Sequence, residues 1–294
     1  MISIVILSQN TDLSIGLFQN IEQTIGVSYE LVFIDNADNK YSLFEAYNLG
    51  VQRSTGDIIC FMHDDIQYIS NDWGIKVEHT LSLPDIGACA VAGCKYMRQS
   101  PSYYPIGEGY NVINLIQCTN DTEIIWHTHD EDQEIVVFDG LWFCIRKECF
   151  NKIQFDVENF EGFHFYDIDI ATQLVANGYR IMSLCDVLIR HRSGGKTNRQ
   201  WLENSFIYAD KWKNELPLSC MGISAKEAER IECTALYSAF RKIMITRHHK
   251  LIPKWFQCAS RITHRNYFSA LYFIINQHRN ASNKNINQRC HPVL

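Results

Sequence analysis

The sequence predicts an α/β protein: a mostly parallel sheet flanked by helices over the first 198 residues, then a mainly helical, basic extension over 199–294. Three observations carry this expectation. Apolar, β-branched runs alternate with stretches of helical spacing through the first half of the chain. Those runs are apolar at nearly every position, as in strands buried on both faces. From Trp201 onward the strand signals stop and helical patterns with basic faces take over.

The elements follow in order. Ile2 to Leu7 reads as a first buried strand. Asp12 to Ile25 has helical spacing, with Leu13, Leu17, Ile21 and Ile25 on one side and Asp12 in position to cap it. Tyr29 to Ile34 is a second strand ending in Asp35-Asn36, Ser42 to Gln52 a second helix, and Asp57 to Met62 a third strand running into His63-Asp64-Asp65. This β-α-β-α-β order implies parallel strands joined by right-handed crossovers. Asn71 to Leu83 reads as a helix and Ala88 to Cys94 as a strand. The polar, aromatic, turn-rich stretch from Lys95 to Glu134 is expected to be an irregular excursion with room for a hairpin. Regular structure resumes at Ile135 to Phe138, followed by Asp139-Gly140, the run LWFCI and a helix near Lys147. His164 to Asn177 reads as a helix behind a loop, Arg180 to Ile189 as the last strand, and the boundary between the two parts falls near Lys196 to Trp201.

Composition narrows the function classes. A chain of 294 residues with 46% hydrophobic and 20% charged residues is globular rather than disordered. A net charge of −6 argues against a nucleic-acid binder. The charge is uneven, however: between Arg241 and Arg289 stand ten Lys and Arg and no Asp or Glu. That pattern suggests either a solvated helical face or peripheral contact with an anionic membrane surface. None of the 11 Cys has CxxC spacing, so they read as buried free thiols in a reducing compartment rather than as zinc ligands. The N-terminus lacks the basic start and small-residue cleavage site of a signal peptide, and Tyr267 to Asn276 is too short to span a bilayer. A cytoplasmic protein is expected, docked at most at the inner face of a membrane.

The chemistry concentrates at strand ends. In parallel sheets, ligands bind beyond the carboxyl ends of the strands, and three polar clusters fall there: Ser8-Gln9-Asn10, Asp35-Asn36 and His63-Asp64-Asp65. Carboxylates in the last can hold a hard divalent cation, which in turn can hold a diphosphate; read alone, the triplet is more commonly a capped turn. Asp35 can accept hydrogen bonds from a base edge or a ribose hydroxyl, or close an Asx turn. Asn48, Gly50 and Gly56 form N-x-G-x(5)-G before the third strand, which is no phosphate loop because no G-K-[ST] follows. In Phe165-Tyr166-Asp167-Ile168-Asp169, Asp167 falls in a first helical turn, where a carboxylate can serve as general base or as cap. His191, in RHRSGG, can complete a metal site, touch a phosphate or simply be a bonded loop histidine. Arg190, Arg192 and Lys196 are candidates to meet a diphosphate, with Gly194-Gly195 permitting loop motion. His127 and His129 lack an evident third ligand.

Together, ISIVILSQN, VFIDNADN, YNLGVQRSTGDIICFMHDDI, DGLWFCIRKECF, FDVENFEGFHFYDIDIATQLVANGYRIMSL and IRHRSGG resemble, in order and spacing from Met1 to Gly195, the inverting family-2-like glycosyltransferases of the GT-A fold. That fold is Rossmann-like, with a mostly parallel sheet flanked by helices. The resemblance implies metal-dependent transfer, with Mn²⁺ or Mg²⁺, of a sugar from a nucleoside-diphosphate sugar to a hydroxyl of a glycan or lipid-linked glycan. It implies that Asp35 and its neighbour Asn36 meet the nucleotide, with Asn48 close by. Asp64 would lie near the sugar or ribose, and Asp65 and His191 at the metal. Asp139 and Gly140 would line the donor-sugar and acceptor pocket. Asp167 would act as catalytic base, with Asp169 supporting it or orienting the acceptor. Two positions depart from the pattern: His63 stands where the first acid of the DxD-type triplet is usual, and Tyr166 where a Glu usually precedes the base.

Two other classes compete. A sugar-phosphate nucleotidyltransferase needs a Gly-rich loop bearing Arg or Lys after the first strand, and SQNTDLSIG supplies none. A non-catalytic nucleotide-sugar-binding module is the other alternative, and the joint presence of Asp35, Asp64, Asp65 and Asp167 counts against it.

Overall fold

The computed structural model describes residues 1–119, 122–192, 198–266 and 269–277. The chain divides into two units: Met1–Met97, Tyr104–Lys196 and Leu218–Cys220 form the first, and Arg98–Tyr103, Thr197–Pro217 and Met221–Leu294 the second.

The first unit opens with β1 (Ile2–Ser8), α1 (Ile15–Thr24), β2 (Tyr29–Asp35), α2 (Leu43–Arg53) and β3 (Ile58–Met62). β1 pairs in parallel with both β2 and β3, as the alternating pattern predicts. α1 starts later than expected, behind Ser14, while the Asp12 carboxylate takes a hydrogen bond from the Thr11 hydroxyl (3.3 Å). α2 is fixed by a capping box between Ser42 and Glu45. It lies so close to β1 that a Cβ on Gly50 would stand 2.4 Å from Val5 Cγ1, which explains the glycine in a helix interior.

β4 (Ile66–Tyr68), α3 (Trp73–Leu81), β5 (Ile86–Ala90), β6 (Ala92–Cys94) and β7 (Tyr96–Met97) follow. The excursion after them contains a hairpin of β8 (Asn111–Thr119) and β9 (Thr122–His127), then β10 (Gln133–Ile135) and β11 (Val137–Phe138). β12 (Trp142–Arg146), a 3-10 turn at Lys147–Asn151, α4 (Tyr166–Ala176), β13 (Arg180–Ser183) and β14 (Ile189–His191) complete the order. The main sheet runs β10-β13-β5-β12-β3-β1-β2, and a second sheet β11-β6-β8-β14-β4, with β9 on β8.

Two stretches that read as single strands are each two. The run through Ala88 to Cys94 splits into β5 in the main sheet and β6 in the second, and that through Arg180 to Ile189 splits into β13 and β14 in the same way. An apolar run buried on both sides of a sheet change keeps its pattern, so periodicity does not reveal the crossing. Direction is likewise invisible to it. β12 runs antiparallel between β3 and β5, so its first residues, not its last, lie at the carboxyl edge of β3.

The core beneath that edge is aromatic. Tyr68 stacks on Trp73 at 4.4 Å, and Trp142 packs edge-on to both while its Nε1 donates to Tyr68 Oη (2.8 Å). Cys60, Cys89, Cys94, Cys144 and Cys149 are buried free thiols of this unit. Burial pushes the Cys144 and Cys149 thiols up, which keeps them protonated and inert.

In the second unit, α5 (Arg199–Lys211), α6 (Ala225–Ile245), α7 (Ile252–Thr263) and helical residues 269–277 enclose Leu202, Phe206, Leu236, Ile243 and Trp255. A two-residue strand, β15 (Leu218–Ser219), pairs with β7 within the first unit. Glu232, buried on α6, accepts from the backbone N–H groups of Gln99 (2.8 Å) and Ser100 (3.0 Å). No described helix is long and apolar enough to cross a membrane.

Candidate active site and metal centre

The parallel register aligns Ser8 with Asp35, and places the end of β3 on the other side of β1. Three bonds tie this edge together. Asn36 N donates to Ser8 O (2.8 Å), the Ser8 hydroxyl donates to Asp64 Oδ2, and His63 N donates to Leu141 O (3.0 Å). The last bond joins the end of β3 to the residue before β12, so Asp139-Gly140 arrives at the same edge as His63-Asp64-Asp65.

The second sheet supplies His191. β14 is antiparallel to β4, with His191 opposite Ile66, and parallel to β8, with His191 opposite Gln117. His191 therefore stands next to Asp65 across the strand pair, and its Nε2 lies 3.5 Å from Asp65 Oδ1. His63 Nδ1 lies 3.9 Å from the same oxygen. One ligand atom each from His63, Asp65 and His191 lies within 4.8 Å of the others; no other group of three metal-ligating side chains occurs among the described residues. All three are partly sheltered, with side chains 20%, 32% and 10% exposed.

Hydrogen bonds fix which nitrogen of each imidazole carries the proton. The Tyr166 hydroxyl donates its only proton to Gly140 O (3.0 Å), so it meets His63 Nε2, also at 3.0 Å, as an acceptor. His63 is then protonated on Nε2, and its Nδ1 lone pair faces Asp65. Gln117 Oε1, which can only accept, lies 3.1 Å from His191 Nδ1. That nitrogen carries the proton, and the Nε2 lone pair faces Asp65. Both rings thus present basic nitrogens to one carboxylate, as in centres where outer partners orient ligating histidines. Burial, reinforced by the neighbouring His191, holds the His63 pKa below the usual histidine value and keeps the ring neutral. Burial, together with the negative charge of Asp167, holds Tyr166 well above the usual phenol range, so its hydroxyl keeps the proton it donates.

Gly140 links this centre to α4. Its carbonyl takes the Tyr166 proton, and its N–H donates to Asp167 Oδ2 (3.0 Å). A Cβ at Gly140 would stand 2.0 Å from Tyr166 Oη, so any larger residue would displace the Tyr166 side chain. Asp167 Oδ1 also accepts from Ile168 N (2.9 Å), and its side chain is buried. Asp169, buried two positions further, accepts from Gln173 Nε2 (2.8 Å). Asp139 is half-buried and accepts from Leu141 N (3.1 Å) and from Tyr104 Oη (2.9 Å).

The remaining sequence candidates divide. Asp35 is exposed at the edge and caps the next turn through Ala37 N (2.9 Å). The Asn36 amide holds both backbone groups of Tyr41 (2.9 Å each). Asn48 does the same for Phe155, at 2.7 and 3.1 Å, so the amides of Asn36 and Asn48 are engaged in shaping loops. Arg190 pairs with Glu123 (3.1 Å) and bonds Gln67 (3.0 Å). Gly194, Gly195 and Lys196 lie outside the described residues. His127 bonds Asn114 and Asp130 and stacks on His129.

Sequence reasoning alone did not single out Ser8 as a partner of Asp64, or Tyr166 and Gln117 as partners of the histidines. It also passed over Phe163, whose ring is 51% exposed and lies 5.8 Å from that of His63. The one available signal was Tyr166 standing where an acid is usual.

The mixed sheet, with three side chains at its carboxyl edge able to hold a metal ion, has the architecture of the GT-A glycosyltransferases. The chain belongs to the Glycosyltransferase like family, whose profile matches residues 1–212. No curated protein matches the sequence. Among solved structures, S. aureus TarS 1–349 is similar with a TM-score of 0.53 at 12% identity, covering 98% of this chain and 91% of that one. The same protein in complex with UDP-GlcNAc gives 0.51 at 12% identity, covering 98% and 92%. GalNAc-T7 with UDP, GalNAc and Mn²⁺ gives 0.50 at 12% identity, covering 72% of this chain and 50% of that one, so this chain spans half its length. At such identities the likeness establishes the fold alone.

Proposed function

We propose that this protein moves a sugar from a nucleoside-diphosphate sugar to a hydroxyl of a glycan or lipid-linked glycan, by single displacement with inversion, in metal-dependent fashion. The observation that carries the reading is the convergence of His63, Asp65 and His191, with donor atoms within 4.8 Å at the carboxyl edge of the sheet. The family membership supports it, as do the ligands of similar folds: UDP-GlcNAc in one, UDP with Mn²⁺ in another.

His63, Asp65 and His191 would hold a divalent cation. Two imidazoles with one carboxylate suit Mn²⁺ better than Mg²⁺, which prefers oxygen donors. When bound, the ion supplies positive charge to the diphosphate oxygens of the donor. The exposed Asp35 would meet the base or ribose, with Asn36 and Asn48 shaping the loops around it. Asp64, oriented by Ser8, would meet the ribose or sugar. Asp139 and Gly140 would line the sugar pocket, and the exposed ring of Phe163 is suited to stack on a sugar face.

Asp167 would take the acceptor proton. Its carboxylate is aimed by the backbone N–H groups of Gly140 and Ile168, while Asp169 steadies the helix start. As the acceptor O–H bond breaks toward Asp167, that oxygen bonds the anomeric carbon from the face opposite the diphosphate. The bond from anomeric carbon to diphosphate oxygen breaks, and its electron pair leaves with the nucleoside diphosphate. Residues 1–198 would carry this chemistry and 199–294 form a basic extension. The buried free thiols support a cytoplasmic setting, and we assign the reaction to polysaccharide biosynthesis.

The test is a thermal-shift screen of nucleoside diphosphates and nucleotide sugars with and without Mn²⁺, followed by turnover assays of the best donor. Stabilisation by one donor only with Mn²⁺, and loss of turnover in Asp65→Ala and Asp167→Asn, is the expected result. Turnover surviving both substitutions overturns the site assignment, and binding without turnover of any donor favours a non-catalytic module.

A further inference from the structure

α6 ends in two exposed aliphatic residues, Met244 (46% exposed) and Ile245 (71%). The other large aliphatics of this helix face the core of the second unit: Ile231, Leu236 and Ile243 are buried. An isolated exposed apolar residue is ordinary, but here two stand together and their neighbours share one charge sign. Arg241 lies one turn back, at the i−3 and i−4 positions that adjoin Met244 and Ile245 on a helix surface. Arg247, with a left-handed φ of 53°, turns the chain directly after the helix, and the turn His249–Leu251 leads into α7, where Lys254 is exposed. Among the described residues, Arg241, Arg247 and Lys254 make no ion pair. His248 and Lys250 are engaged, both on Glu203, at 2.7 and 2.6 Å.

The charge balance extends this local pattern. Ten of the 27 Lys and Arg fall between Arg241 and Arg289, a stretch without Asp or Glu, so all 33 acids share the rest of the chain with 17 cations. We propose that the corner at the end of α6 is a membrane-docking tip, with Met244 and Ile245 entering the acyl layer of an anionic bilayer and Arg241, Arg247 and Lys254 meeting its headgroups. Aliphatic side chains rimmed by cations match an interface that is apolar below and negative above. Nucleic acid offers no acyl layer for Met244 and Ile245, and neither side chain can stack on or hydrogen-bond a base. The proposal concerns the second unit alone and holds whether or not the transfer reaction does.

Flotation of the full chain with phosphatidylcholine vesicles, with and without phosphatidylglycerol, tests it. Each cation at an anionic surface multiplies partitioning about fivefold. The wild type is expected to float with the anionic vesicles only, and less at high salt. Arg241→Glu with Arg247→Glu, and separately Ile245→Asp, should each lower partitioning at least about tenfold while leaving the circular dichroism spectrum and Mn²⁺ binding unchanged. Hydrogen exchange on the wild type gives a readout that needs no variant: anionic vesicles should protect the amides of residues 241–250. Absence of flotation, wild-type partitioning in both variants, or no protection of 241–250 overturns the proposal. So does a dimer in solution that Ile245→Asp dissociates, or binding to duplex DNA in preference to vesicles.

Discussion

Replacing Tyr166 by Phe removes a single oxygen and tests the logic of the candidate metal centre. That oxygen accepts from His63 Nε2 and donates to Gly140 O, both at 3.0 Å, in a buried setting. Its loss orphans one donor and one acceptor, at about 1–3 kcal/mol each where water cannot reach them. It also frees His63 to place its proton on Nδ1, the nitrogen that faces Asp65 at 3.9 Å, and a protonated Nδ1 cannot ligate a cation. Loss of an outer partner to a ligating histidine typically weakens metal binding about 10–100-fold, which is about 1.4–2.7 kcal/mol. Titration of the purified protein with Mn²⁺ alone, read by electron paramagnetic resonance of the free ion, measures this directly, without a donor or an acceptor. Tyr166→Phe should bind Mn²⁺ at least about tenfold more weakly with its fold intact, and Gln117→Leu should show the same loss through His191. Wild-type affinity in Tyr166→Phe would refute the tautomer argument.

Further outcomes follow from the same geometry. Gly140→Ala forces a methyl group to within 2.0 Å of Tyr166 Oη; the overpacking should cost about 1–3 kcal/mol by denaturant unfolding and weaken Mn²⁺ binding, because Tyr166 must move. His63 has its pKa lowered from 6.5 by burial and by His191, so as pH falls below that value the unfolded chain protonates first and stability declines until the folded-state value is reached. Calorimetric Tm without metal should therefore drop between pH 7 and pH 5.5, less so in His63→Gln, and an equal drop in both would remove His63 as the cause. Mn²⁺ binding should weaken over a lower pH range than for an ordinary histidine site, which Kd values measured across pH will show. Glu232→Ala strips the acceptor from the Gln99 and Ser100 N–H groups and should cost about 2–4 kcal/mol of stability, while Mn²⁺ affinity in the first unit stays at the wild-type level.

Much of the fold was legible because it is written in local patterns. Mostly apolar runs at Ile2–Ser8, Tyr29–Asp35 and Ile58–Met62 announce parallel strands, and polar clusters at their ends mark the edge where ligands bind in such sheets. Residue chemistry likewise singled out Asp65 and His191. The sequence could not decide what depends on non-local pairing. The antiparallel entry of β12 brings Gly140 to the edge of β3, and the β4–β14–β8 ladder sets His191 between Ile66 and Gln117. Residues 74 positions apart then share a hydrogen bond, and no spacing in the chain encodes that. The triplet His63-Asp64-Asp65 shows the division best. Its residue types suggested a cation, but which of its side chains share a space with His191 depends on the fold in three dimensions. Ser8 draws Asp64 aside, while Tyr166 turns the lone pair of His63 toward Asp65. Residue type sets the chemistry a side chain is capable of; the partners that fix its proton and its direction come from distant strands, so only the tertiary structure could choose among the capable groups.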